Sequence, residues 1–504
     1  MNFDLDAAIY ARYLVPTKRP RSRRIGVEFE LPVVNLDDAP VDFKVVHRMT
    51  EAFVSHFGFT EIHRDDNGFI YSAIDAGKAR NAGDPAPPHC AAAPRQSPET
   101  TARNPGDSAP PLPVDAPTGD DISFDCSYNT LEFSMGAEED LNVIFSRFRT
   151  YYAYVKEQLE AEHHTLTGMG INPRYAVNRY EPVGSGRYRM LYHHLCSYLK
   201  YEGEIPFHDD PNYGMFCCSS QVQLDVHTDD LTDVLNTFSR LEPLKALIFA
   251  NSLWGEERRI LLSRDNFWRN SLHGLNRHNV DMYGLEFDSE EEVLRYIRSM
   301  SLYCTERDGR YINFRPTPLR AYFEAEEITG EYYDRESGLY RPIRFRPEPG
   351  DLLYLRSYKF EDLTFRGTVE FRSVCEQPVR EILAPAAYHV GLMRKLPELT
   401  QILKEDHVIY HQGYNAAELR RMFVRRDLPD IFDRERVVRL ELQILQLAED
   451  GLAERGLGEE RFLAPLWRRA ETLASPAREM ADGLDAGKSL EWYIEDYGAL
   501  ESAN

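Results

Sequence analysis

Ile25-Gly26-Val27-Glu28-Phe29-Glu30-Leu31-Pro32 alternates acid with apolar residue. In an extended strand, Glu28 and Glu30 point one way while Val27, Phe29 and Leu31 point the other. Two neighbouring carboxylates on a buried face repel, and one pKa would climb steeply unless a cation lay between them. A divalent metal with oxygen ligands is the usual cation in such a place. The same text also suits a solvated outer strand.

The pattern recurs downstream. Phe124-Asp125 puts an acid near a turn, and Thr130-Leu131-Glu132-Phe133-Ser134-Met135 sets Glu132 opposite Leu131, Phe133 and Met135. Ser220-Gln221-Val222-Gln223-Leu224-Asp225-Val226 carries Gln221, Gln223 and Asp225 on one side. In Thr368-Val369-Glu370-Phe371-Arg372, Glu370 and Arg372 share a face away from Val369 and Phe371. Each strand taken singly reads as a half-solvated element. Taken together they predict an antiparallel sheet with one face packed on a core and the other open, lined with oxygen ligands for a hard cation and an arginine.

In chain order, Gly26-Val27-Glu28-Phe29-Glu30, Asp125 with Glu132 seven residues on, Gly186-Arg187-Tyr188-Arg189-Met190, Ser219-Ser220-Gln221-Val222-Gln223-Leu224-Asp225, Phe249-Ala250-Asn251-Ser252, Ser263-Arg264 and Val369-Glu370-Phe371-Arg372-Ser373 form a set. That set resembles the glutamate-cysteine ligase family, whose fold is related to glutamine synthetase, over about residues 20–395. The resemblance implies an α+β, glutamine synthetase-like catalytic fold and an ATP-dependent ligase that joins the side-chain carboxylate of glutamate to an amine, usually that of cysteine, through a γ-glutamyl phosphate. It implies magnesium, or manganese, as the metal, with Glu28, Glu30, Asp125, Glu132, Gln221 and Glu370 as ligands. It also implies Arg264 and Arg372 as catalytic arginines, and Arg187 and Gln223 as further substrate or nucleotide contacts. Gln221 departs from the bacterial branch of the family, where histidine is usual, and is closer to the plant-type branch; its amide oxygen can still ligate magnesium. Two other readings stand beside this one. The first is a ligase of the same superfamily that takes a different amine. The second is a non-catalytic regulator that keeps the fold but would have been free to lose its ligand positions.

Composition agrees. The chain has 504 residues, 42% of them hydrophobic, and a formal charge of −23. That charge excludes an electrostatic nucleic-acid surface. It also means that ATP and glutamate need local cations such as Arg187, Arg264 and Arg372. No apolar run reaches the roughly 20 residues needed to cross a bilayer, and Met1-Asn2-Phe3-Asp4-Leu5-Asp6 lacks the basic and apolar parts of a signal peptide. A cytoplasmic protein acting on small molecules is expected. The seven cysteines are scattered without zinc spacing and are expected to be reduced; Cys217 and Cys218 read as core thiols, with a redox role as the alternative.

Residues 76–118 are rich in proline, alanine, glycine and serine, and nearly free of large apolar side chains. Such a composition cannot offset its ordering entropy, which predicts a disordered insertion that acts as a spacer or, alternatively, binds a partner. Because loop closure costs grow slowly with length, the strands on either side can still pair. Leu141, Ile144, Phe145, Phe148, Tyr152, Val155 and Leu159 recur at helical spacing, as do Leu231, Val234, Leu235, Phe238 and Leu241 after Asp229-Asp230. His193 and His194 fall in a helix following Arg187, where adjacent side chains cannot share a zinc ion. Helices are predicted over 380–395 and 437–453, with a ligase domain over 1–395 and a C-terminal helical extension over 396–504 that packs on the apolar side of the sheet.

Overall fold

The opening strand lies in the middle of the main sheet. A computed structural model describes residues 3–75, 119–255, 257–406 and 412–501; the proline-rich stretch 76–118 lies outside these, and so do the expectations placed on it. The strands, in chain order, are β1 (Ile25–Asn35), β2 (Thr60–Arg64), β3 (Ile70–Ile74), β4 (Asp121–Phe124), β5 (Thr130–Glu138), β6 (His164–Leu166), β7 (Ser220–Asp225), β8 (Val280–Asp281), β9 (Ser301–Arg307), β10 (Arg310–Pro318), β11 (Ile328–Asp334), β12 (Leu339–Phe345), β13 (Tyr358–Lys359), β14 (Glu361–Leu363) and β15 (Thr368–Phe371). The main sheet has nine strands in the order β14-β15-β7-β1-β5-β4-β3-β2, with β6 also paired to β1. All of its pairings are antiparallel. With the helices around it, this is an α+β fold.

Alternation decides which side is buried where. Phe29 and Phe133 meet Phe148 edge to face at 4.9 and 5.7 Å between ring centroids, so the helix Leu141–Glu160 covers the apolar side of β1 and β5. That helix starts at the Asp140 cap, whose carboxylate accepts from the Asn142 N–H. Under β7 and β15 lie the helices Leu231–Phe249 and Ala384–Arg394, whose Phe238 and His389 pack on Phe371 at 4.6 and 4.4 Å. The helix predicted over 380–395 begins at Ala384 instead, after a short 3-10 turn (Val379–Glu381). Pro385, which lacks an N–H, falls in the first turn of that helix, where the N–H would have no partner within the helix.

The C-terminal stretch is helical, as expected, with long helices such as Arg434–Ala453 capped by Asp433. One apolar core nevertheless joins both proposed parts: Phe371, Tyr388, Leu399, Ile444 and Leu466 belong to the same buried cluster. A second, four-stranded sheet in the order β12-β11-β10-β9 was not anticipated from sequence.

Candidate active site

Register brings five of the six predicted ligands, all but Asp125, onto neighbouring strands. Glu30 stands opposite Glu132, Glu28 opposite both Ser134 and Gln221, and Gln223 opposite Glu370. Residues directly opposite in antiparallel strands share a face. One face therefore carries Glu132, Glu30, Glu28, Gln221, Gln223 and Glu370, with Asp362 of β14 opposite Glu370. The expectation of an open face is corrected: Glu28 is 2% exposed, Glu132 1%, Gln221 1% and Glu370 3%. Acids buried this deeply require polar partners, and the neighbouring strands provide them.

Ser219 donates to Glu30 Oε2 through its N–H and its Oγ, at 2.6 and 2.9 Å. Gln221 Nε2 donates to Glu30 Oε1 at 2.9 Å and Gln223 Nε2 to Glu28 Oε1 at 2.9 Å. Ser134 Oγ donates to Glu132 Oε1 at 2.7 Å. Arg372 pairs with Glu370 across 2.9 Å. Burial by itself would lower the Arg372 guanidinium, but Glu370, Asp362, Glu28 and Glu30 outweigh it and hold its pKa above the ordinary arginine value. Burial pushes the Asp362 carboxyl up to about 7, against the pull of Arg372 and with help from Glu370.

Arg264 is buried at the start of the helix Arg264–Arg269. Its N–H donates to Ser252 Oγ at 3.3 Å and its Nη1 to the Val374 carbonyl at 3.1 Å, two residues beyond Arg372. The pKa of Arg264 also stays raised: burial opposes it, while Cys375, Cys217 and Glu30 favour the charge. The helix predicted to follow Arg187 instead includes it: Arg187 lies in the first turn of Gly186–Cys196, which Ser185 caps by accepting from the Tyr188 N–H. Burial lowers Arg187, yet Tyr188 and Asp125 more than compensate, and its pKa is raised. Asp125, which accepts from Cys126 Sγ at 3.6 Å, is thereby placed beside Arg187 rather than within the hydrogen-bonded row. Cys217 and Cys218 are buried, as expected of core thiols, and burial raises both. His193 and His194 diverge: His193 meets Glu331, and His194 stacks on Tyr303.

One residue of the face escaped the sequence reading. Arg366, at the turn between β14 and β15, donates through Nη2 to Gln223 Oε1 at 2.8 Å, extending the chain Arg366–Gln223–Glu28. Its signal was the Arg366-Gly367 turn between two short strands. Gly367 has φ +83°, and an added Cβ would lie 2.7 Å from the Pro16 carbonyl carbon and oxygen, so only glycine lets this turn close on the N-terminal segment.

The donor set suits a hard divalent cation. It consists of carboxylate and amide oxygens, and Gln221 Oε1 is buried without a hydrogen-bond partner. Among the described residues, no three His, Cys, Asp or Glu side chains already stand at metal-ligand spacing; the carboxylates instead hold the hydrogen bonds described above.

One antiparallel sheet thus carries a buried row of oxygen donors, flanked by arginines and backed by helices. Residues 113–495 match the model of glutamate-cysteine ligase family 2 (GCS2), and the chain belongs to that family. The match begins after β1 and runs through the C-terminal helices, whereas the motif resemblance spans about 20–395. Chloroplastic glutamate-cysteine ligases are similar in sequence. That of Solanum lycopersicum is 20% identical over 361 residues, covering 70% of this chain and 63% of the relative. Ligase A of Oryza sativa subsp. indica is 22% identical, covering 69% and 67%. The Brassica juncea enzyme is 22% identical, covering 70% and 64%. The chain thus spans about two thirds of the length of these relatives. Among solved structures, a Francisella tularensis glutamate-cysteine ligase in complex with AMP aligns at TM-score 0.42 and 10% identity, covering 95% of this chain and 88% of the other. A bifunctional glutathione synthetase from Pasteurella multocida aligns at 0.41 and 12%, covering 98% and 53%.

Proposed function

We propose that the protein is an ATP-dependent ligase that joins the side-chain carboxylate of L-glutamate to an amine, with L-cysteine as the preferred amine, through a γ-glutamyl phosphate. The observation that carries this reading is the register of β5, β1, β7 and β15, which lines up Glu132, Glu30, Glu28, Gln221, Gln223 and Glu370 on one buried face in a member of this family. A free carboxylate does not acylate an amine, so the reaction must neutralise a triphosphate, align two anions and shield an acyl phosphate from water.

Glu28, Glu30, Glu132, Gln221 and Glu370, with Asp125 at the edge, would hold magnesium or manganese. When bound, the metal supplies charge neutralisation at the phosphates. The protein's own part is positional. Arg372 and Arg264 present fixed positive charge toward the transferring phosphoryl group or the glutamate carboxylate. Gln223, oriented by Arg366, keeps the Glu28 carboxylate in the plane of the row, and Arg187 offers a further anion contact beside Asp125. Burial of the face keeps water away from the activated carboxyl. The described cysteines are all unpaired, as a reducing compartment requires, and we place the protein in the cytosol. Among the described residues, no helix is long and apolar enough to cross a membrane.

The test is phosphate release from ATP with L-glutamate and a panel of amines, in magnesium and in manganese, for the parent and for Glu28→Gln. Release that needs both glutamate and cysteine, and that is lost in Glu28→Gln, supports the proposal. Release with another amine instead moves the assignment to a sister activity, and no release with any pair refutes ligation.

A further inference from the structure

The apolar side of the sheet hides a second ionic cluster that the reaction does not use directly. Glu242, Lys245 and Arg420 are 0%, 1% and 2% exposed. Arg420 comes from the C-terminal helix Ala416–Phe423, and Glu242 and Lys245 from Leu231–Phe249. Arg420 donates to the Glu242 carbonyl and to Glu242 Oε2, at 2.8 and 2.5 Å, while Lys245 pairs with Glu242 Oε1. Glu361 of β14 accepts from Ser239 Oγ at 2.9 Å and faces Glu242. Burial and the Glu242 charge push the Glu361 carboxyl far above the ordinary carboxylate range. Lys245 and Arg420 thus meet the carboxylates of Glu242 and Asp265 directly, as charges this deeply buried require.

What sets this cluster apart is where its outer bonds go. Arg420 grips Asp265 in a fork, Nε to Oδ2 at 2.7 Å and Nη2 to Oδ1 at 3.1 Å, and Asp265 follows Arg264 directly. Ser373, which follows Arg372 directly, donates to Glu242 Oε1 at 2.9 Å. The Arg420 guanidinium also stacks on Phe360 at 4.5 Å, and the Phe360 carbonyl accepts the Arg372 N–H at 2.9 Å. Arg264 closes the loop through its bond to the Val374 carbonyl at 3.1 Å. Both arginine-bearing segments are therefore fastened to one buried pair.

We propose that Arg420 is a positioning residue: with Glu242 it forms a hub that sets the separation of Arg264 and Arg372, so that the C-terminal helices shape the site without touching substrate. This rests on the ligase reading for its consequence in turnover, but not for its geometry. A guanidinium alone can bridge both partners, because its planar fork reaches Asp265 bidentately while a third nitrogen reaches Glu242; an ammonium keeps the charge and loses the fork.

Arg420→Lys in the full chain separates the two. Hydrogen exchange should speed by about tenfold or more in 263–269 and in 372–375 together, and stay unchanged in the helix Leu141–Glu160. Phosphate release by the same variant should fall about 10- to 100-fold in kcat, with KM for ATP moved less than about threefold, as expected when positioned groups shift without loss of binding. If Arg420→Lys unfolds, Ser373→Ala removes one arm only, and faster exchange should then be confined to 372–375. Unchanged exchange in either segment of Arg420→Lys, or unchanged kcat in an active parent, overturns the hub. A parent that releases no phosphate with any amine refutes the ligase reading alone, since exchange decides the hub without it.

Discussion

At the residue scale, the site depends on charges that are buried and held. Arg372 lies between Glu370 and the other acids of its face, and its fork cannot be reproduced by an ammonium. Arg372→Lys is expected to lose about 100-fold or more in phosphate release while the thermal midpoint stays within a few degrees, as judged by calorimetry beside the kinetic assay. The acids were legible because a strand's period of two writes a shared face directly into the text, and each of Glu28, Glu30, Glu132 and Glu370 lies between two apolar neighbours. Arg366 was not legible. It meets Gln223 across 143 residues of sequence, and only the pairing of β15 with β7 brings that turn to the row.

At the element scale, the turn carrying Arg366 is its own test. Gly367→Ala would force a side chain into a left-handed backbone position against Pro16. We expect a loss of about 1–3 kcal/mol of stability in denaturant titration. The helix Arg434–Ala453 offers a pH test through Glu441, which is 1% exposed with both carboxylate oxygens lacking hydrogen-bond partners. Burial raises its pKa far above the ordinary glutamate value. A raised acid binds its proton more tightly in the folded state, so its contribution to stability is lost as pH climbs above the unfolded pKa, about 4.3. Glu441→Gln should accordingly raise the thermal midpoint by a few degrees at pH 8, with the gain shrinking toward pH 5.

Elements also show where reading the sequence ran out. The helix Leu141–Glu160 was plain from its apolar spacing. The second sheet was not, because β10 contains Pro316 and Pro318 and β12 contains Pro342, residues that argue against strands. The structure accommodates Pro316 where the β9–β10 register shifts between Asn313 and Thr317, and Pro318 at the end of the strand, opposite Ser301. The Asp308-Gly309 pair between β9 and β10 was the overlooked hairpin signal.

At the scale of the whole molecule, the division at residue 395 does not coincide with a break in the core. The helix Ala384–Arg394 crosses Arg434–Ala453 so closely that a Cβ on Gly391 would lie 2.1 Å from the Ala448 carbonyl oxygen, and one on Gly451 2.1 Å from that of Gly391. Backbone contact of this kind leaves no room for side chains and ties the two parts into one packed unit. Residues 1–395 expressed alone should therefore lack a cooperative thermal transition that the full chain shows; a truncated chain melting cooperatively near the parent's midpoint would separate the two parts.

The central claim is that the buried row of β5, β1, β7 and β15 holds a divalent metal for use with ATP, and manganese binding tests it most directly. Electron paramagnetic resonance titration of the full chain with manganese and a non-hydrolysable ATP analogue should show bound metal in the parent. Glu28→Gln and Glu370→Gln, each confirmed folded by circular dichroism, should weaken that binding by about tenfold or more. Equal manganese binding by the parent and both variants would contradict the account.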